Sequence, residues 1–321
     1  MIDRTQKEIM QNWLAESNAP LVTIRCLAYN HEQFIERALD GFLMQETKYP
    51  FEIVIHDDAS TDKTADIIRK YEEKYPEIIK AVYERENQHS KGGGSVAKIV
   101  NPLCRGKYIA YCEGDDYWTY PQKIEEQVDI LEKNSDVFLV HSDFETVDEH
   151  CDFIERRGYN KFKFTSVKEN GLVSLFKKNH IMTLTVIIRR EVLFNSMYVD
   201  CPYHYDYALF FAAAFMGKIR YVPKIMGAYR KHSNSAMQSR NKQVSKKMKQ
   251  VYLYYVNCFF RMNDLFSKKD ILLINYSVVK KLLSYRDYRY LAKMILGNPL
   301  KIFLLPIAFF HLGFLHLRGE T

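Results

Sequence analysis

Between residues 21 and 141 the chain repeats one rhythm: a short apolar run, then a segment with its apolar residues on one helical face. Residues 21–27 read as a buried strand, and 32–45 as a helix that turns Ile35, Ala38, Leu39 and Phe42 inward. Residues 51–55 predict a second strand. Ser60-Thr61-Asp62 can cap a helix running to about Tyr75, where Pro76 stops it. Residues 79–83, 108–112 and 137–141 supply three more strands. Strands alternating with helices imply an α/β domain with a mainly parallel central sheet.

After residue 145 the rhythm loosens. Residues 183–189, 219–222 and 225–229 predict short strands, and 207–216 a helix. From about Asn241 the apolar residues recur at helical spacing, so the C-terminal region reads as helical. The expected organisation is an N-terminal helical extension (1–19), a catalytic α/β domain (20–240) and a basic, aromatic-rich helical region (241–321).

Charge sharpens that division. The formal net charge is +7, but residues 240–321 hold 15 basic and 4 acidic side chains, against 31 basic and 35 acidic in 1–239. The body is mildly acidic and the last quarter strongly basic. With 47% hydrophobic residues and only 13 Gly and 9 Pro in 321, a disordered or fibrous chain is excluded. The six cysteines are scattered without metal-ligand spacing, and the first eight residues lack the apolar core of a signal peptide. Residues 302–317 are almost wholly apolar. Their helix would measure about 24 Å, short of the ~30 Å hydrocarbon core, so an interfacial helix fits better than a span. These features imply a cytoplasmic body. The basic tail either packs on it or rests on an anionic membrane at the inner face of the cell membrane.

Four places could carry chemistry. Asp57-Asp58 follows an apolar strand at its C-terminal edge, where open α/β sheets bind ligands; the same pair would also suit the start of a helix. Glu113-Gly114-Asp115-Asp116 follows the apolar strand 108–112. Carboxylates that crowded repel by about 4 kcal/mol per pair at ~4 Å and an effective dielectric near 20, so they want a cation. Oxygen ligands suit Mg²⁺ or Mn²⁺. Asp206 opens an apolar helix, as a cap or as a functional carboxylate. Tyr229-Arg230-Lys231-His232 is either a basic surface turn or a pair of donors for a diphosphate.

Taken in order, these pieces resemble family 2 glycosyltransferases of the GT-A, Rossmann-like fold, over residues 21–232. Val22-Thr23-Ile24-Arg25-Cys26-Leu27-Ala28-Tyr29-Asn30 resembles the family's opening strand and Tyr-Asn turn. Asp57-Asp58-Ala59-Ser60-Thr61-Asp62-Lys63-Thr64 resembles its "DDGSTDGT". Glu113-Gly114-Asp115-Asp116-Tyr117-Trp118, with Pro121 and Lys123, resembles its D-x-D segment and "P-x-K" helix, with Glu113 replacing the first Asp. Tyr229-Arg230-Lys231-His232 resembles "YR-x-H". The resemblance implies an inverting, metal-assisted transfer from a nucleotide sugar, with uridine as the default base, to a glycan or lipid-linked acceptor in polysaccharide biosynthesis. It places the nucleotide on Ala28, Tyr29, Asn30, Asp57, Asp58 and Asp115. Asp115 would ligate the Mn²⁺ or Mg²⁺, supported by Glu113 and Asp116. Asp206 would be the catalytic base, and Arg230 and His232 would lie near the diphosphate.

A sugar nucleotidyltransferase is the rival enzyme class, but it would carry a glycine-rich triphosphate loop where this chain has Cys26-Leu27-Ala28-Tyr29-Asn30. A dinucleotide-binding G-x-G-x-x-G is also absent after the first strand. No nucleic-acid-binding motif is visible.

Overall fold

In the computed structural model, residues 3–14, 19–91, 95–157, 171–233, 242–262 and 266–285 are described. Nine strands form one sheet: β1 (Val22–Ala28), β2 (Phe51–Asp57), β3 (Ile79–Tyr83), β4 (Tyr108–Tyr111), β5 (Tyr117–Trp118), β6 (Val137–Val147), β7 (Phe153–Arg157), β8 (Ile187–Arg189) and β9 (Lys218–Arg230). Their order is β3-β2-β1-β4-β8-β6-β9-β5, with β7 paired to β6.

The expected parallel sheet is the half β3-β2-β1-β4, where every pairing is parallel. β1, β2 and β4 are near-continuous apolar runs because both faces are covered, whereas the edge strand β3 exposes Lys80 and half-buries Ala81, Val82 and Tyr83. The other half is mixed. β8 runs antiparallel to β4 and β6, β5 antiparallel to β9, and β6 parallel to β9. β4 and β5 stand four places apart, yet only residues 112–116 join them.

Two elements differ from their sequence reading. Residues 219–222 and 225–229 are parts of one strand, β9, whose register against β6 shifts between Val222 and Ile225, around Pro223 and Lys224. Residues 183–189 begin as a 3₁₀ turn, Thr183–Thr185, before β8 starts.

The first helix after β1, Ile35–Leu43, buries Ile35, Ala38, Leu39, Phe42 and Leu43 against the sheet. Each large side chain so buried contributes about 1.5–3 kcal/mol. Phe42 meets Trp118 edge-on at 5.0 Å between centroids. A Cβ on Gly41 would come within 2.9 Å of the Trp118 carbonyl oxygen, so the close approach of helix and β5 requires glycine.

The chain divides into two compact units, residues 1–168 with 180–251, and 169–179 with 252–321. The sheet belongs to the first. In the second, helix Gly171–Lys177 packs on helix Lys268–Ser284, and Phe176 touches Tyr252 and Phe259 at 5.8 and 5.7 Å between centroids. Residues 302–317, read above as an interfacial helix, lie outside the described residues. Among the described residues no helix is long and apolar enough to cross a membrane.

Candidate active site

Register brings the motif residues to one edge. Ala28 pairs with Asp57 and Asp57 with Tyr83, while Arg25 pairs with Tyr111. Tyr29, Asp58 and Glu113 therefore leave the sheet side by side.

Two turns are laced together there. Asn30 sits at φ 55°, a conformation Asn tolerates better than most residues. Its backbone N–H donates to Ser60 Oγ (2.9 Å), and its Oδ1 accepts from Thr61 N–H (2.8 Å). His31 N–H donates to Thr64 Oγ1 (2.7 Å) and Glu32 N–H to Asp62 Oδ2 (3.1 Å). Ser60-Thr61-Asp62, expected as a helix cap, mainly anchors the loop after β1: the cap position falls on Lys63, which makes no side-chain cap bond, and only Asp62 accepts from the helix start, at Thr64 N–H (2.9 Å). Ala59 is left at φ 62°. Tyr29 is 44% exposed, free to stack on a flat ligand.

The carboxylates have separate surroundings. Asp57 is buried; its Oδ2 accepts from Ser60 N–H, and its Oδ1 has no partner. Asp58 is also buried and accepts from the Gln88 and His89 N–H groups at 2.7 and 3.0 Å. Asp115 Oδ2 lies 3.1 Å from His232 Nε2 and 3.9 Å from His31 Nε2. Burial alone would raise the Asp115 carboxyl. The His232 hydrogen bond and the neighbouring imidazoles outweigh that and hold it below its ordinary value.

Glu113, Asp115 and Asp116 do not converge. Asp116 points inward, accepting from Arg230 N–H (2.8 Å), and burial pushes its carboxyl well up. Glu113 is pushed up to about 7, first by desolvation and then by Asp115 and Asp206, against the pull of Arg25. Gly114 makes room for the Ile35 and His31 side chains. A Cβ there would lie 2.8 Å from Ile35 Cδ1 and 2.9 Å from His31 Nδ1. Among the described residues, no three His, Cys, Asp or Glu side chains form a group that would hold a metal alone. A carboxylate backed by a histidine suits a hard cation that draws its other oxygens from a diphosphate.

Arg230 has a part that the sequence did not suggest. Its side chain is buried, with Nε bonded to the Asp115 carbonyl (2.9 Å) and Nη1 to the Glu149 carbonyl (3.1 Å). The guanidinium lies over the Phe34 and Tyr117 rings, 4.7 and 5.2 Å from their centroids. It braces the Asp115 loop, whereas His232 faces the Asp115 carboxylate itself. A cleft of about 340 Å³ opens beside His232, lined also by Asn30, Phe34 and Thr61.

Asp206 heads helix Asp206–Met216 and is exposed. Its Oδ2 accepts from Thr183 Oγ1 (2.9 Å) and its Oδ1 from Tyr207 N–H (2.8 Å). The protein packed around it raises the carboxyl above the usual range, and these two bonds pull back against that.

Sequence reasoning passed over His31, Thr183 and Arg25. His31 directly follows Asn30, and Arg25 is a charge inside an apolar strand; both were visible signals. Nothing local marks Thr183.

A family model described as glycosyl transferase family 2 matches residues 26–194. An uncharacterized protein of Mycobacterium tuberculosis is 32% identical over 224 residues, 68% of this chain and 61% of its own length. This chain thus spans about three fifths of that relative. The Escherichia coli protein WfaP, named a UDP-Glc:alpha-D-GlcNAc-diphosphoundecaprenol beta-1,3-glucosyltransferase, is 29% identical over 272 residues, 84% of this chain and 98% of its own. Among solved structures, S. aureus TarS 1-349 in complex with UDP-GlcNAc superposes with a TM-score of 0.56 at 16% identity, covering 81% of this chain and 80% of that one. The mannosyltransferase PcManGT from Pyrobaculum calidifontis, in complex with GDP-Man and Mn2+, superposes with a TM-score of 0.52 at 17% identity, covering 86% and 84%. These two structural likenesses show a shared fold.

Proposed function

The chain belongs to glycosyl transferase family 2 and has the GT-A fold, and from that premise we propose an inverting transfer of a sugar from a nucleoside diphosphate sugar to a hydroxyl group. One observation carries the reading. His232 Nε2 lies 3.1 Å from Asp115 and Thr183 Oγ1 donates to Asp206 at 2.9 Å, and both carboxylates are close enough to Glu113 for their charge to raise its carboxyl. A diphosphate held at Asp115 and an acceptor hydroxyl at Asp206 would then meet a sugar between them.

The nucleotide would lie on the edge formed by Ala28, Tyr29, Asp57 and Asp58. Tyr29 is exposed for stacking, and the orphaned Asp57 Oδ1 can accept from a nucleotide hydroxyl. Asp115, with His232 behind it, would hold Mn²⁺ or Mg²⁺. That cation, when bound, offsets the charge developing on the departing diphosphate. Asp206 takes the proton from the attacking hydroxyl, an effect typically worth 10²–10⁴-fold. Its raised affinity for protons makes it a stronger base than an ordinary carboxylate. Direct attack with a single base inverts the anomeric centre.

UDP-sugars are the favoured donors and a lipid-linked glycan the favoured acceptor, supported by the name of the E. coli relative, which matches over nearly its whole length. The +11 balance of residues 240–321 supports a place at an anionic membrane surface, the inner face of the cell membrane. The test is nucleotide release from a panel of UDP- and GDP-sugars, with and without Mn²⁺, before and after adding a polyprenyl-diphosphate glycan. Metal-dependent release stimulated by the acceptor is expected. Synthesis of a nucleotide sugar from NTP and sugar phosphate would instead establish the nucleotidyltransferase.

A further inference from the structure

Lys123 is fully buried at the start of helix Lys123–Lys133, a rare place for an amine. Among the described residues its Nζ donates to two neutral oxygens, Gln127 Oε1 and the Thr185 carbonyl (3.1 Å), and lies 5.0 Å from the centroid of the Trp118 ring. Burial pulls the amine down to about 7. Neutral or charged, it keeps the two N–H groups that both bonds need. A methionine of similar reach would fill this place without the cost of desolvating an amine, so packing alone does not account for the lysine.

What the lysine holds does account for it. Lys123 Nζ and Gln127 Nε2 (2.9 Å) share the Thr185 carbonyl, and Trp118 Nε1 donates to the Leu184 carbonyl (2.9 Å). Both carbonyls belong to the 3₁₀ turn Thr183–Thr185. Leu184 and Thr185 are buried, whereas Thr183 is half-buried and gives its Oγ1 proton to Asp206 Oδ2. The turn is clamped at its buried end and offers a hydroxyl at the other. Thr183 meets Asp206 only as accurately as that clamp sets it. Lys123, closed off from solvent, cannot touch a substrate itself.

We propose that Lys123 is a positioning residue for the transfer: with Gln127 and Trp118 it fixes the turn Thr183–Thr185, and through Thr183 it holds the Asp206 carboxylate toward the attacking hydroxyl. The inference rests on the reading of Asp206 as the base.

A carboxylate that loses the Thr183 bond is protonated more easily, so the acid limb of the rate reports its position. The other titratable groups near Asp206 are Glu113, Tyr198 and Tyr205, and comparison with Thr183→Val separates them from the route through the turn. The kcat profile on the fastest nucleotide sugar is measured for the wild type, Thr183→Val, Lys123→Met and the double variant. Lys123→Met should lower kcat about 10–100-fold. Its acid limb should move up by about 0.5–1 pH unit, in the direction of Thr183→Val. Affinity for UDP with Mn²⁺ should stay at the wild-type value. In the double variant the limb should stand where Thr183→Val alone leaves it, because the bond through which Lys123 acts is already gone. Gln127→Met removes another donor from the same carbonyl and should give a smaller shift, also absent in the Thr183→Val background. It carries the test if Lys123→Met does not fold, and a wild-type profile in it would then overturn the proposal.

A Lys123→Met enzyme with the wild-type rate and acid limb, or shifts that add in the double variant, would overturn the proposal. So would a limb that disappears in Lys123→Met, which would assign it to the lysine's own titration. Asp206→Asn separates the two readings. A normal rate there sinks the base and this proposal together; an inactive Asp206→Asn beside an unaltered Lys123→Met sinks this proposal alone.

Discussion

Asp115 and His232 meet through one oxygen: the histidine Nε2 lies 3.1 Å from Asp115 Oδ2. β4 delivers the carboxylate and the segment after β9 delivers the imidazole, so the pair exists only when both halves of the sheet are folded. Removing His232 should leave the carboxylate in place but loosely held. His232→Ala is expected to weaken Mn²⁺ binding by about 10–100-fold in calorimetry with UDP present, and Asp115→Asn to abolish it. Unchanged Mn²⁺ affinity in both variants would remove the pair from the metal site.

Asp206 and Thr183 predict a pH signature. A base acts when deprotonated, so the rate should climb with pH through the raised Asp206 value and then level off. Thr183 donates to the charged carboxylate and lowers that value. Thr183→Val should therefore move the acid limb of the kcat profile to higher pH, and Thr183→Ser should restore it. Asp206→Asn should cost 10²–10⁴-fold in kcat with UDP affinity intact. An Asp206→Asn protein with a normal rate would exclude this base.

Ala59 occupies the left-handed region at φ 62°, where an L side chain costs roughly 1–2 kcal/mol. Glycine removes that strain but frees the unfolded chain. Ala59→Gly should stabilise the protein by about 0.5–1 kcal/mol, read as a higher urea midpoint at constant m. A lower midpoint would show that the turn gains more from the methyl group than the strain costs.

Gly114→Ala would force Ile35 and His31 apart, because the new Cβ lies under 3 Å from both. Overpacking of this kind costs about 1–3 kcal/mol. The melting temperature should drop, and Mn²⁺ affinity with it, since His31 faces Asp115. Melting and Mn²⁺ affinity both equal to wild type would mean that the helix start shifts freely.

Much of this was legible in the chain. The parallel strands β1, β2 and β4 are buried on both faces, so each appears as an apolar run, and the carboxylates stand where the β2 and β4 runs end. β9 was read as two strands because Pro223 and Lys224 break its pattern, while pairing with β6 carries it through. The turn Thr183–Thr185 was read as strand because its constraint is tertiary. The Thr185 carbonyl accepts from Lys123 Nζ (3.1 Å) and Gln127 Nε2 (2.9 Å), about sixty positions away in the chain. The sequence leaves Arg230 either in a basic surface turn or as a donor to a diphosphate. Its burial follows from Phe34, Tyr117 and the Glu149 carbonyl, three partners from distant segments.

The five residues between β4 and β5 set a dimension of the whole sheet. Four strand spacings laid flat span about 19 Å. Residues 111 to 117 reach at most about 21 Å when fully extended. The segment is not extended, since Asp116 N–H turns back to the Glu113 carbonyl (3.2 Å). The sheet can only curl to meet it. The segment that presents Asp115 is thus also the clasp that closes the sheet, and its length is a gauge of curvature. A residue inserted there would act on the architecture first, letting the far strands swing outward and carrying His232 away from its partner.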